Sequence, residues 1–244
     1  MTDHPVPFTP GFPGDWPVRP ANFLQLDWQA HTRNFIHIWL PEGVAIPGGD
    51  AVFILREVVD FRFTLPEPEL WVVSYEKSGV IALRGECRAI TEGVALALAI
   101  TNLSETAWEE TRPGVCVQLA AAPDFADPAL ERTVSVTDGR LCPMAPPEHV
   151  GLTAHYHPSA PPTENFIAVA SRLPGFVIAQ WWEGPPISVG GNSHPSIACL
   201  HAQPAFGRIA PGETVRREGR LYLMPGTVEE AYQRYVAEKR RHEA

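Results

Sequence analysis

The sequence predicts an all-β protein, an antiparallel β-sandwich with one α-helix at its C-terminal end. Three observations support this fold class: side chains alternate in several short segments, glycine-bearing turns separate some of them, and proline is frequent. The chain has 26 prolines among 244 residues. Because proline removes a backbone donor and clashes with the preceding helical turn, few stretches can form a long helix. A helical bundle or solenoid is therefore disfavoured.

The strands are predicted from the period-2 pattern of apolar side chains. In residues 35–40 every second residue is aliphatic, which is typical of a strand with one buried face. Residues 71–103 predict a three-strand antiparallel meander, because two short turns with Gly79 and Gly93 divide them. The predicted strands are 35–40, 52–63, 71–75, 80–90, 94–102, 115–119, 176–182, 197–201 and 215–224, and loops are predicted at 123–147, 158–165 and 183–196.

The pattern at residues 227–241 predicts the single helix. Thr227 and Glu230 have the spacing of a capping box, in which each side chain bonds the other residue's backbone N–H. Apolar residues then recur at helical spacing. Residues 1–20 contain six prolines and no periodic pattern, so we expect an extended N-terminal arm that lies on the protein's own surface or contacts a second copy or a partner subunit. Residues 21–244 are expected to form one domain.

Charge and composition exclude several classes of function. The chain has 19 Lys and Arg against 28 Asp and Glu, a net charge of −9, which argues against binding to nucleic-acid phosphates. No apolar run is long enough to span a membrane, and no export signal is visible, so we expect a cytoplasmic protein. The four cysteines match no zinc-binding spacing and are expected to be reduced, buried thiols. They are Cys87, Cys116, Cys142 and Cys199.

The first candidate site lies on the second strand of the meander, where Arg84, Glu86 and Arg88 point to the same face. One interpretation is an exposed ion-pair ladder of little energetic value. The other is the polar floor of a concave sheet, where Arg84 and Arg88 bind a hydroxyl-rich or carboxylate substrate and Glu86 serves in acid–base catalysis. Arginine suits this role because its planar fork binds carboxylates through two hydrogen bonds.

Histidines form the second candidate. His194 ends a glycine-rich loop and His201 ends the strand that follows, and an imidazole titrates near neutral pH, so both are predicted to be catalytic. His155 and His157 resemble the first half of a cupin metal motif, but no acid follows until Glu164. A metal site on these two histidines therefore stays an alternative, and no cofactor is predicted. Ordinary hydrogen-bonded histidines are the other alternative.

Tryptophans form the third candidate. Trp181 and Trp182 face opposite sides of one strand, so one is expected in the core and Trp182 is predicted to form a platform for a sugar ring. Asn192 in the following loop is predicted to bind the same substrate. Trp39, beside His37 on the first clear strand, would form a second platform with that histidine. Packing in the core is the alternative for each aromatic residue.

Two stretches resemble the galactose-mutarotase-like supersandwich of carbohydrate-acting proteins. Residues 93–108 (GVALALAITNLSETAW) form a strand that ends in an Asn-x-Ser bend with a tryptophan soon after. Residues 210–227 (APGETVRREGRLYLMPGT) run from a Pro-Gly-Glu turn into a late strand. The resemblance implies a concave sheet that binds a saccharide, with histidine and acidic side chains transferring protons. It identifies no catalytic residue, because no family signature is matched.

Three hypotheses for the function follow. The first is a saccharide epimerase, lyase or hydrolase, which requires a histidine and a carboxylate near one pocket. The second is a non-catalytic carbohydrate-binding or assembly subunit of the same fold, which requires aromatic residues without that pair. The third is a metal-dependent β-barrel enzyme built on His155 and His157, which requires three or four ligands about 2.0–2.2 Å from one ion. Under the first two hypotheses, the expected ligand is a small saccharide.

Overall fold

A computed structural model describes residues 8–11, 23–28, 33–46, 62–144, 155–156, 161–192 and 198–243. Most of these residues lie in antiparallel strands, which confirms the predicted fold class. The strands are β1 (Phe8–Gly11), β2 (Leu24–Trp28), β3 (Phe35–Ala45), β4 (Arg62–Glu67), β5 (Leu70–Lys77), β6 (Ile81–Ile90), β7 (Gly93–Asn102), β8 (Trp108–Gln118), β9 (Thr133–Thr137), β10 (Arg140–Pro143), β11 (His155–Tyr156), β12 (Phe166–Ala170), β13 (Phe176–Trp182), β14 (Val189–Asn192), β15 (Cys199–Ala202), β16 (Gly207–Ile209) and β17 (Thr214–Pro225).

The strands form two sheets. The first sheet has the order β1-β2-β3-β8-β15-β14-β11, and β16 also pairs with β8. The second sheet has the order β10-β9-β12-β13-β17-β7-β6-β5-β4. The predicted meander is confirmed, since β5, β6 and β7 are antiparallel neighbours in it.

The main core lies between the two sheets. Alternate residues of each strand enter it, such as Ile36 and Ile38 on β3, Val117 on β8 and Leu96 and Leu98 on β7. Because side chains alternate along a strand, the residues between them point to the outer face of their sheet. Each sheet thus presents a second face on the outside of the sandwich.

The helix α1 (Val228–Glu243) covers part of the outer face of the second sheet. Its predicted capping box is present, with the Thr227 N–H donating to Glu230 Oε2 at 2.7 Å and the Glu230 N–H donating to Thr227 Oγ1 at 3.3 Å. Tyr232 and Tyr235 pack on Phe166 of β12. No helix in the described ranges is long and apolar enough to cross a membrane.

Several expectations change. The predicted loop at 123–147 contains the hairpin β9–β10, and the predicted loop at 183–196 contains β14. The sequence does not predict these strands because they are short. They are stabilised by pairing with neighbouring strands and show no long alternating pattern. Within the N-terminal arm, residues 8–11 pair with β2 as an edge strand. Most of the predicted strand at 52–63 lies outside the described residues.

Candidate functional site

A row of polar side chains crosses the outer face of the first sheet. Directly paired residues on neighbouring antiparallel strands share a face. The pairing joins Gln25 to His37, His37 to Gln118, Gln118 to Cys199, and Cys199 to Asn192. We call these five residues the polar row, and they come from β2, β3, β8, β15 and β14.

His37 lies between two amides of the polar row. Its Nε2 is 3.2 Å from Gln25 Oε1, and its Nδ1 is 3.4 Å from Gln118 Oε1. Desolvation by burial lowers the pKa of His37, and the hydrogen bond with Gln118 offsets this only in part. The imidazole is therefore neutral near pH 7, and its single N–H can donate to only one of these two amide oxygens, so the other ring nitrogen keeps a free lone pair.

Aromatic rings lie beside His37 on the same face. The ring centroid of Phe23 is 4.4 Å from that of His37 and 4.8 Å from that of Trp39. Trp39 also packs edge-on to His37, at 6.2 Å. The face thus combines amides and an imidazole with an apolar aromatic wall.

Two buried polar atoms on this face have no hydrogen-bond partner among the residues that the structure describes. They are Trp39 Nε1, a donor, and Asn192 Oδ1, an acceptor. Both residues are only 9% exposed. Because burying such a group without a partner costs about 1–3 kcal/mol, these two atoms are suited to bind a polar ligand.

Three more reactive groups converge on Cys199 of the polar row. Cys116 on β8 and Cys199 and His201 on β15 have donor atoms that all lie within 4.8 Å of one another. Cys199 Sγ is 3.6 Å from His201 Nε2. Glu42 joins them from β3, where its carboxylate contacts the Cys116 thiol.

An irregularity in β3 brings Glu42 to this face. From Trp39 to Gly43 β3 advances four residues, while its partner β8 advances only from Cys116 to Gly114. The extra residues break the simple alternation of β3. Gly114 leaves room for the carboxylate, since a Cβ there would lie 3.1 Å from Glu42 Cγ.

The four groups shift one another's pKa values. A hydrogen bond from Cys116 and the nearby imidazole of His201 lower the pKa of Cys199 despite its burial, and the same bond together with desolvation raises the pKa of Cys116. Burial lowers the pKa of His201, but the charges of Cys199 and Glu42 outweigh this effect and raise it. Desolvation raises the pKa of Glu42. The neighbouring groups thus favour the ionised form of Cys199 and the protonated form of His201.

The structure divides the residues that the sequence singled out between the two outer faces. His37, Trp39, Asn192 and His201 lie together on the first sheet. Arg84, Glu86 and Arg88 lie on the outer face of the second sheet, with Arg84 Nε 2.8 Å from Glu86 Oε1 and Arg88 Nη1 2.7 Å from Glu67 Oε2. The expected site that joins Glu86 to His201 is therefore wrong, because both sheets separate them. The carboxylate that approaches His201 is Glu42.

The predicted platform role of Trp182 is also wrong. Its side chain is 1% exposed and belongs to the core between the sheets. It packs over Gly219, where a Cβ would lie 2.7 Å from Trp182 Cδ2. Trp181 points to the other side and packs on Tyr235 of the helix, so both tryptophans of the pair are structural.

The remaining predicted histidines are less fully described. His194 and His157 lie outside the described residues. The backbone of His155 pairs with Asn192, one strand beyond the polar row. The alternative metal site on His155 and His157 thus stays untested.

Sequence reasoning missed Gln25, Gln118, Glu42 and the roles of Cys116 and Cys199. Cys199 and His201 form a Cys-x-His step on a strand, which places both on one face. That local signal was available. Cys116, Gln25 and Gln118 join the site only through strand pairing that brings distant segments together. The expectation of buried thiols is confirmed for Cys87, Cys116 and Cys199, whereas Cys142 is only half-buried.

No protein-family model and no curated protein sequence matches the chain. Among solved structures, it is similar to a galactose mutarotase related enzyme from Lactobacillus acidophilus, with 11% identity, 86% of this chain and 97% of that chain covered, and a TM-score of 0.47. It is also similar to a putative aldose 1-epimerase from Escherichia coli K12, with 11% identity, coverage of 84% and 96%, and a TM-score of 0.49. An aldose epimerase homologue from C. elegans gives 8% identity, coverage of 84% and 96%, and a TM-score of 0.41.

The resemblance to mutarotase-like sandwiches found in the sequence thus recurs in the structure comparison. At these identities and TM-scores the likeness concerns the fold, so function has to be argued from this chain's own residues.

Proposed function

We propose that this chain is a carbohydrate-acting protein that binds a neutral saccharide on the outer face of its first sheet. The observation that carries the proposal is a pair of buried atoms on the face of the polar row, Trp39 Nε1 and Asn192 Oδ1, which have no hydrogen-bond partner within the described part of the chain. One is a donor and the other an acceptor, and sugar hydroxyls can satisfy both kinds of group.

The chemistry of the polar row favours a neutral ligand over an acidic one. Its side chains are three amides, an imidazole and a thiol. Amides and a neutral imidazole pair well with hydroxyl groups, whereas a phosphate or carboxylate is best bound by arginine forks. The arginines singled out from the sequence, Arg84 and Arg88, lie on the other sheet. Phe23 and Trp39 supply the apolar surface that a sugar ring contacts.

His37 is the residue that we assign to proton transfer. Burial keeps its imidazole neutral near pH 7, so it can accept a proton from a bound saccharide and return it. Epimerase, lyase and hydrolase reactions all require such a transfer. Gln25 and Gln118 hold the ring between them and fix its orientation.

The test is a binding and turnover screen with neutral sugars, uronates and sugar phosphates. Calorimetry should detect binding of a neutral saccharide, and loss of one hydrogen-bonding group in Trp39→Phe or Asn192→Ala should weaken it about 2- to 12-fold. Arg84→Ala, on the other sheet, is the matched control and should bind normally. Preference for charged sugars, or equal loss in the control, would contradict the proposal.

Turnover separates the enzyme from the non-catalytic alternative. Polarimetry reports epimerisation, reducing-end release reports hydrolysis, and ultraviolet absorbance reports the unsaturated product of a lyase. His37→Gln should retain saccharide binding and lose turnover. Binding by the wild type with no turnover in any assay would assign the chain a purely carbohydrate-binding function.

A further inference from the structure

Three side chains of types that can ligate a metal meet on the outer face of the first sheet. Cys116, Cys199 and His201 are all buried, and their donor atoms lie within 4.8 Å of one another. Residues two apart on a strand share a face, so β15 presents Cys199 and His201 together. The neighbouring strand β8 adds Cys116. Paired strands rather than a loop therefore fix the positions of all three donors.

We propose that Cys116, Cys199 and His201 bind a zinc ion. The Glu42 carboxylate contacts the Cys116 thiol but is not part of the 4.8 Å cluster, and we propose that it moves in as the fourth ligand. This inference goes beyond the proposed function and does not depend on it, because it concerns a cation and needs no saccharide.

The distances suit a tetrahedral ion. Zinc binds a thiolate sulfur at about 2.3 Å and an imidazole nitrogen at about 2.0–2.1 Å, so two such ligands of one tetrahedral ion lie about 3.5 Å apart. The observed distance from Cys199 Sγ to His201 Nε2 is 3.6 Å. Two thiolates on the same ion are about 3.8 Å apart. The sulfurs of Cys116 and Cys199 lie within 4.8 Å of each other, so they need to approach by at most about 1 Å to bind one ion.

The donor set selects zinc among common metals. Calcium and magnesium prefer oxygen ligands and bind thiolates poorly. A tetrahedral site with two sulfurs, an imidazole and a carboxylate is typical of zinc. The backbone N–H of Asn192 donates to the sulfur of Cys199, and a hydrogen bond of this kind orients a metal ligand. With four protein ligands the site is closed, which is typical of a structural zinc. The ion would tie β3, β8 and β15 together.

The test measures metal content and coordination in the whole protein. Wild-type protein prepared without chelator should hold one zinc per chain, and cobalt in its place should give the thiolate charge-transfer band and the strong visible bands of a tetrahedral site. Loss of a group that only hydrogen-bonds to a metal ligand weakens metal binding roughly 10- to 100-fold. Because Cys116→Ser, Cys199→Ser and His201→Gln each change a ligand itself, each should weaken zinc binding by more than that. Glu42→Gln should weaken it as well. Cys142→Ser, on β10 of the second sheet, is the matched control and should bind zinc normally.

Two results would overturn the proposal. One is wild-type protein that takes up neither zinc nor cobalt, or that gives an octahedral cobalt spectrum without a thiolate band. The other is equal zinc binding in the wild type and in the Cys199→Ser and His201→Gln variants. The cobalt spectrum of the wild type needs no variant to fold. Since zinc content and saccharide binding are measured separately, either proposal can fail while the other holds.

Discussion

Arg216 on β17 donates a hydrogen bond of 3.1 Å to Glu86 on β6, across the intervening strand β7. The small side chains of Ala97 and Ala99 on β7 lie beneath this contact. Glu86 also accepts a hydrogen bond of 2.8 Å from Arg84. Partial burial raises the pKa of Glu86, but these bonds outweigh it and lower the pKa. The charges on the second sheet thus satisfy one another.

We predict that this ladder contributes little to stability or to saccharide binding. Arg84→Ala and Arg216→Ala should each change the free energy of unfolding by less than about 1 kcal/mol, because exposed ion pairs gain little in water. Urea unfolding and calorimetry measure the two effects. Loss of saccharide binding in a folded Arg84→Ala protein would instead place the site on the second sheet.

The sequence could predict those parts of the fold that depend on neighbouring residues. The meander β5–β7 follows from alternation and two glycine turns, and the helix follows from Thr227, Glu230 and an apolar stripe. Each signal is complete within a short segment. The short strands β9, β10 and β14 carry no such signal and depend on their partners.

The site could be predicted only in part, because it is assembled by non-local pairing. His37, Trp39, Asn192 and His201 were each found from local features. Their common face became visible only through the registers of β3, β8, β15 and β14. Glu42 reaches the site through an irregularity of β3, which no alternating pattern predicts. For the same reason no local pattern shows that both sheets separate Glu86 from His201.

Gly93 is predicted to be essential for the turn between β6 and β7. Its φ is +140°, and a Cβ there would overlap the carbonyl oxygen of Leu221. Gly93→Ala should therefore cost about 3 kcal/mol or more. Gly79→Ala is the control, since its φ is +68° but a Cβ there meets nothing within 4 Å among the described residues. It should cost only about 1–2 kcal/mol. Equal losses in urea unfolding would contradict this difference.

Substitutions of Trp182 and Trp39 are predicted to have different main effects, the first on stability and the second on ligand binding. Trp182 fills the main core, so Trp182→Ala should lower the free energy of unfolding by about 3–5 kcal/mol. Trp39→Phe keeps an aromatic ring beside Phe23 and removes the indole donor, so its main effect should be on saccharide binding. Denaturant unfolding and calorimetry of both variants test this. A stable Trp182→Ala protein with impaired binding would restore its platform role.

The buried imidazole of His37 is predicted to make stability depend on pH. Its pKa in the folded protein is lower than the ordinary value of 6.5, chiefly through desolvation. The unfolded chain therefore binds a proton at a higher pH than the folded chain does. Stability should be complete above the ordinary pKa and should fall as the pH drops from that value towards the lowered one. Among the described residues, the groups that contact the imidazole are the amides of Gln25 and Gln118 and the rings of Phe23 and Trp39. Urea unfolding of the wild type and of His37→Gln between about pH 5 and pH 8 isolates this contribution, because other titrating groups are common to both proteins. The wild type should lose more stability than His37→Gln as the pH falls, and parallel curves would show that His37 is not held neutral by its burial.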